Sequence, residues 1–211
     1  MGQETLLWYT KPAENFDQAL PVGNGRMGAM VFGGVEAEHL KLNEDSIWSG
    51  GLRNRNNPDA YQGMRQIRTL LQQEKISEAE ELAFQTMQGC PENSRHYMPL
   101  GDLDVVFHKE NHSTAYRRTL DLSSGIALTE YTLDGVQYQR SVFVSEPDNV
   151  LVLHVSADQP GQVSFAASFG GRDDYYDENR PDGEASICVT GGQGGQQGIQ
   201  LSLIHISEPT R

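Results

Sequence analysis

Asp102 and Asp104 stand two residues apart, so on a strand both carboxylates project from one face, opposite Leu103 and Val105. A carboxylate pair of this kind can do acid–base work. The simpler reading is the solvent-facing side of an edge strand. Gly23 to Gly28, GNGRMG, fits the pattern G-x-G-x-x-G, and Glu44 stands near the expected acidic position of a dinucleotide fingerprint. That chemistry needs a helix opening at the glycines, so that free amides meet a pyrophosphate. Here the glycines open Ala29-Met30-Val31-Phe32, which is β-like, so the segment is read as a tight strand–turn–strand and no cofactor is expected. The run from Arg172 to Glu184, RDDYYDENRPDGE, offers oxygen ligands for calcium. It lacks the alternate spacing and mid-loop glycine of an EF-hand, and Pro181 interrupts it, so a solvated loop is expected.

His39, His96, His108, His112 and His154 show no metal-ligand spacing, and no G-x-S-x-G elbow is present. Cys90 and Cys188 have no nearby histidine and are read as two unlinked thiols. No catalytic residue and no metal ligand is therefore assigned. Trp48 is the one candidate substrate-binding residue. It lies in a polar loop beside Asn43, Glu44 and Asp45, where an indole can offer a flat apolar platform to a sugar ring. Core packing is the commoner fate of such a residue.

The elements that position these residues are mostly strands. Ala29–Phe32 and His39–Leu42 read as strands around a Gly33-Gly34 turn. From Leu100 onward apolar residues alternate. Ile126–Leu133 and Val136–Val144 flank Asp134-Gly135, a two-residue pair suited to a type I′ hairpin. Val150–Val155 and Val163–Phe169 follow, separated by the turn residues Asp158-Gln159-Pro160-Gly161. Between these β segments lie two helical stretches. Met64, Ile67, Leu70 and Leu71 recur at helical spacing behind an Asp59 N-cap. A second helix is expected to start at Ser77, with Glu80 completing a capping box and Ala79, Leu82, Ala83 and Met87 forming its apolar face. The fold class is mainly β: an antiparallel two-layer β-sandwich, a super-sandwich, with an inserted helical hairpin.

The 211 residues carry a net charge of −13. A surface so acidic repels phosphate backbones and anionic lipid, which argues against nucleic-acid and membrane partners. No apolar run reaches the length of a membrane span, and MGQETLLWYT at the start lacks the basic and apolar regions of a signal peptide.

Leu201 to Arg211 read LSLIHISEPTR, which matches the translation of a transposase-based sequencing adapter. Residues 201–211 are accordingly expected to be a non-native adapter-derived tail, and residues 1–200 a sandwich domain incomplete at its C-terminal end. Leu201, Leu203, Ile204 and Ile206 are β-like by accident and are expected to dock on an open sheet edge.

Taken together, several ordered stretches resemble the N-terminal domain of glycoside hydrolase family 95, the α-L-fucosidases acting on 1,2-linked fucose. They are Trp8 to Ala13, ALPVGNGRMGAMVFGG from Ala19, LNEDSIWSGG from Leu42, NPDA from Asn57, AEEL from Ala79, YMPLGDL from Tyr97 and DGVQYQRSVFVS from Asp134. The resemblance runs from Leu7 to about Gln200. It implies a two-layer sandwich packed through a linker against an (α/α)6 barrel. In that family a glutamate acid and a water assisted by aspartate and asparagine carry out inverting hydrolysis. Those residues lie in the barrel, so none is carried over to this chain, which is expected to be inactive alone. The implied partners are a fucosylated glycan and the parent enzyme's own barrel, and the parent is expected in the periplasm or outside the cell. Three alternatives fit the same elements: a free-standing carbohydrate-binding module, or the N-terminal domain of an α-L-galactosidase or of a glycoside phosphorylase.

Overall fold

The computed structural model describes residues 5–49, 54–91, 96–107, 113–171, 176–181, 186–191 and 201–203. The chain separates into a β unit (residues 1–47, 98–193 and 200–211) and a smaller unit formed by residues 48–97 with 194–199.

The β unit is built from antiparallel sheets. The first sheet has the order β1-β6-β7-β8-β9, where β1 is Leu6–Tyr9, β6 Thr114–Asp121, β7 Ile126–Leu133, β8 Val136–Ser145 and β9 Val150–Ala157. The second has the order β10-β5-β4-β3-β2, from Phe165–Gly170, Gly101–Phe107, Ala37–Glu44, Met27–Val31 and Leu20–Gly23 respectively. Their facing sides share one apolar core, in which Leu40, Val31 and Leu103 from the second sheet join Leu120, Ala127 and Val142 from the first. Strict alternation along β7 and β8 produces this, since every second side chain points inward. A third sheet is made of β11 (Tyr176–Pro181), β12 (Ile187–Gly191) and β13 (Leu201–Leu203). Leu201–Leu203 thus dock on the β12 edge. The solvated loop expected between Arg172 and Glu184 is a strand over Tyr176–Pro181, because its backbone pairs with Ile187–Gly191. Residues 172–175 and 182–185 lie outside the described residues.

The hairpin at Asp134-Gly135 has two loop residues, with Leu133 opposite Val136 and φ of 52° and 78° at the turn. Both values are positive, as a type I′ turn requires. Nothing lies within 4 Å of a Cβ added at Gly135, so the site tests backbone conformation alone. Gly135→Val should lower stability by about 1 kcal/mol or more. An unchanged urea midpoint would show that the turn does not constrain this position.

The smaller unit holds two helices, α1 (Ala60–Gln72) and α2 (Ile76–Thr86). Their caps match the expected ones only in part. Asp59 has helical φ and ψ and makes no capping bond with its side chain. The Asn57 carboxamide accepts from the Asp59 amide instead. Asp59 is thus the N-cap residue expected, capping by position and not by its side chain. α1 ends in a left-handed residue, Glu74 at φ 60°, with the Lys75 amide donating to the Leu70 carbonyl at 3.0 Å and Glu74 to Leu71 at 3.1 Å. This is a Schellman closure made without glycine. Ser77 forms no capping box, because Lys75 is the N-cap residue and Ser77 already lies inside α2. The helices cross at Gly63, where an added Cβ would collide with Thr86. Met64, Ile67 and Leu70 are half-buried, Ala79 is buried, and Leu71 and Met87 stay exposed, so a two-helix unit covers only part of the face expected.

Candidate functional site

In the smaller unit, Trp48 and Tyr97 form an isolated antiparallel bridge. The Ser49 amide donates to the His96 carbonyl at 2.8 Å, and the His96 amide donates to the Ser49 hydroxyl at 2.8 Å. These bonds fix the backbone that carries the two rings. The rings meet edge to face, with centroids 5.2 Å apart and planes at 67°. Trp48 is 47% exposed and Tyr97 44%. The expected core packing of Trp48 is therefore replaced by a surface position, while its neighbour Ile47 is fully buried. An exposed edge-to-face pair offers apolar ring area beside a phenol and an indole N–H, a combination suited to a sugar's C–H face and hydroxyls. Tyr97 is 49 positions away from Trp48, and no spacing rule pairs them; only the bridge does.

The candidate carboxylates are engaged elsewhere. Asp104 Oδ1 lies 2.6 Å from His39 Nδ1 and Asp102 Oδ2 lies 3.7 Å from His39 Nε2. The Lys41 ammonium donates to Asp102 at 3.3 Å. The imidazole thus sits between two carboxylates on one side of β4 and β5, away from Leu103 and Val105. β5 lies between β10 and β4, so the edge strand expected for these aspartates is an interior one. Its polar face is held by cross-strand ion pairs rather than left free for acid–base work.

The glycine-rich segment is a hairpin, not a helix opening. Gly23 pairs with Gly28, Gly25 has φ of 93°, and the Asn24 side chain accepts from the amides of Arg26 and Met27. Glu44 receives Arg26 Nε at 2.8 Å and the amide and hydroxyl of Ser46. Burial alone raises the Glu44 carboxyl, but the bonds from Ser46 and Arg26 outweigh it and the net shift is downward. No amide cradle for a phosphate forms here.

Among the described residues no group of three histidine, cysteine or acidic side chains could hold a metal ion. His108 and His112 lie outside the described residues. Neither Cys90 nor Cys188 is in a disulfide.

The protein-family model described as glycosyl hydrolase family 65, N-terminal domain, matches residues 7–208. Alpha-L-fucosidase 2 of Arabidopsis thaliana is 34% identical over 184 residues, covering 86% of this chain and 22% of that protein. Probable alpha-fucosidase A of Aspergillus niger is 30% identical over 165 residues, covering 72% of this chain and 20% of the relative. The protein of the same name from Aspergillus oryzae is 28% identical over 160 residues, with 72% and 21% covered. The chain thus spans about a fifth of the length of these curated relatives. The family number of the matching model differs from the family 95 resemblance of the motifs, whereas the names of the relatives agree with the activity that resemblance implies.

Proposed function

The chain belongs to the glycosyl hydrolase family 65 N-terminal domain family, and from that membership we propose that it is the non-catalytic front domain of an exo-acting, inverting α-L-fucosidase specific for 1,2-linked fucose. The observation that carries this reading is the 34% identity to an α-L-fucosidase over 86% of the chain. The geometry supports it in two ways. The aspartate pair is committed to His39 and Lys41 rather than aimed at a reacting bond. The Trp48–Tyr97 pair supplies a neutral aromatic platform suited to a fucosylated glycan. In this reading the partner that completes the enzyme is an (α/α)6 barrel from the same protein, which brings the acid and the base.

The test compares this chain with a protein in which it is joined to such a barrel. The chain alone should release no fucose from 2′-fucosyllactose, and release abolished by a substitution within residues 1–200 would refute the non-catalytic role. The joined protein should yield β-L-fucose first by proton NMR, since a single displacement by water inverts the anomeric carbon. In it, Trp48→Ala and Tyr97→Ala should raise KM with kcat nearly unchanged, the signature of lost uniform binding. An unaltered KM in both variants would sink the platform. A higher kcat/KM for an L-galactoside than for an L-fucoside would transfer the reading to an α-L-galactosidase.

A further inference from the structure

The Trp48–Tyr97 pair can meet a fucosylated glycan at either of two sugars: the fucose that is cut off, or the sugar that departs with the rest of the glycan. The geometry of the pair bears on the choice. The two rings do not form one flat plate. They stand at 67° with centroids 5.2 Å apart and each is nearly half exposed, so together they bound a corner. Such a corner takes the C–H face of a single pyranose on one ring and its edge against the other, whereas a long chain laid flat would want coplanar rings. The corner is also fixed. Its backbone is held by the Trp48–Tyr97 bridge and by the two 2.8 Å bonds between Ser49 and His96. Indole and phenol rings have few rotamers to lose, so they bind as rigid walls.

The chemistry treats the two sugars differently. In a single displacement the base takes a proton from water, and the water oxygen bonds to the anomeric carbon of fucose. The glycosidic C–O bond breaks, and the acid protonates the departing oxygen, which leaves on the second sugar. The fucose ring flattens toward an oxocarbenium ion during this step and lies between the acid and the base. The proposed function assigns both of those groups to the barrel. Asp102 and Asp104 of this chain are held by His39 and Lys41, so they do not draw the reacting sugar to this domain. The departing sugar keeps its chair throughout. A rigid apolar corner binds such a ring equally before the reaction and in the transition state, which is how a non-reacting part of a substrate is held.

We infer that Trp48 and Tyr97 form the subsite for the leaving sugar, a neutral pyranose on the far side of the cut bond from fucose. The inference rests on the proposed function and names which part of that substrate the platform takes. The corner itself is uncharged, and the net charge of −13 disfavours a sulfated or carboxylated sugar there. Within that reading the front domain is a specificity element: it selects what fucose is attached to, while the barrel selects fucose.

The test uses the protein in which this chain is joined to its barrel. It compares 2′-fucosyllactose, whose leaving group is lactose, with α-L-fucosyl fluoride, whose leaving group is a single fluoride ion. Trp48→Ala and Tyr97→Ala should each raise KM for 2′-fucosyllactose about five- to tenfold, the effect of losing one aromatic contact. The kcat and KM for the fluoride should not change, which also shows that the variants are folded. Inhibition by lactose should weaken by the same factor, and inhibition by L-fucose should not. Trp48→Phe and Tyr97→Phe keep a ring and should restore most of the loss. An equal rise in KM for both substrates would put fucose on the platform and overturn the inference, with the fucosidase reading intact. A KM unchanged for both substrates, or lactose inhibition indifferent to both alanine substitutions, overturns it as well. If the joined protein cleaves neither substrate, the proposed function itself falls and this subsite falls with it.

Discussion

Arg140→Ala should destabilise the β unit by about 3–5 kcal/mol, the cost of removing one partner from a buried ion pair. Arg140 and Glu38 are fully excluded from solvent, and their Nη1 and Oε2 atoms lie 3.3 Å apart. The guanidinium stands 4.9 Å from the Phe107 ring centroid and 5.3 Å from that of Tyr131, and its Nη2 donates to the Gly34 carbonyl. Removing it strips the Gly34 carbonyl of a donor, takes a cation from two aromatic faces and leaves a carboxylate alone in the core. The loss should depend on pH. Burial pushes the Glu38 carboxyl up, while Arg140 and the amides of Gly33, His39 and Phe32 pull it back toward its ordinary value of 4.5. A raised carboxyl favours the fold fully below the unfolded-state value and loses that contribution as pH climbs through the folded-state value. Without Arg140 the rise is larger, so the deficit of the variant should be smallest in acid and grow toward neutral pH. Urea melts at several pH values measure this. A penalty under about 1 kcal/mol, or one indifferent to pH, would mean that the pair is not the inter-sheet tie described. The double variant Glu38→Leu/Arg140→Met should recover much of the loss, because an apolar pair leaves no orphan charge.

Gly33→Ala is expected to be nearly as damaging, for a different reason. Gly33 has φ of 73°, and a Cβ there would lie 2.8 Å from the Tyr116 hydroxyl, 3.1 Å from Arg118 Cδ and 3.2 Å from Thr129 Oγ1. The same residue accepts from Tyr116 at 2.7 Å and donates its amide to Glu38 Oε1 at 2.7 Å. Alanine would bear about 1–2 kcal/mol of left-handed strain, together with roughly 1–3 kcal/mol for forcing apart packed neighbours. Gly25 provides the control. Its φ of 93° is also positive, but nothing lies within 4 Å of an added Cβ. Gly25→Ala should therefore show the strain without the collision. Equal urea midpoints for the two variants would show that Tyr116, Arg118 and Thr129 do not grip the Gly33 turn.

Much of the fold is legible in the chain because the signals are local. Asp134-Gly135 declares its hairpin by residue type, and the alternation on either side sets the register that places Leu133 opposite Val136. Both helices fall where helical spacing puts them. The caps were less legible: Asp59 takes the N-cap of α1 without a side-chain capping bond, and Ser77 lies inside α2 rather than ahead of it. Local reading passes over β1, β2, β12 and β6, the last because Arg117-Arg118 interrupts the apolar alternation. Its Arg118 is buried because the guanidinium reaches the carbonyls of Lys11 and Gln18 at 2.9 and 2.8 Å, residues about a hundred positions away.

By itself the sequence determined the antiparallel β class, the inserted helical hairpin and the resemblance to a carbohydrate-cleaving family, because period, turn chemistry and ordered motifs are properties of neighbouring residues. The tertiary structure decided which polar residues are core and which aromatic residues are surface. Glu38 and Arg140 are buried because each meets the other across two sheets. Asp102 and Asp104 are occupied because β4 brings His39 and Lys41 beside them. Trp8 and Trp48 remain exposed because the strands and the bridge that carry them leave their rings outside the core, and neither pairing nor burial is encoded within reach of a local window.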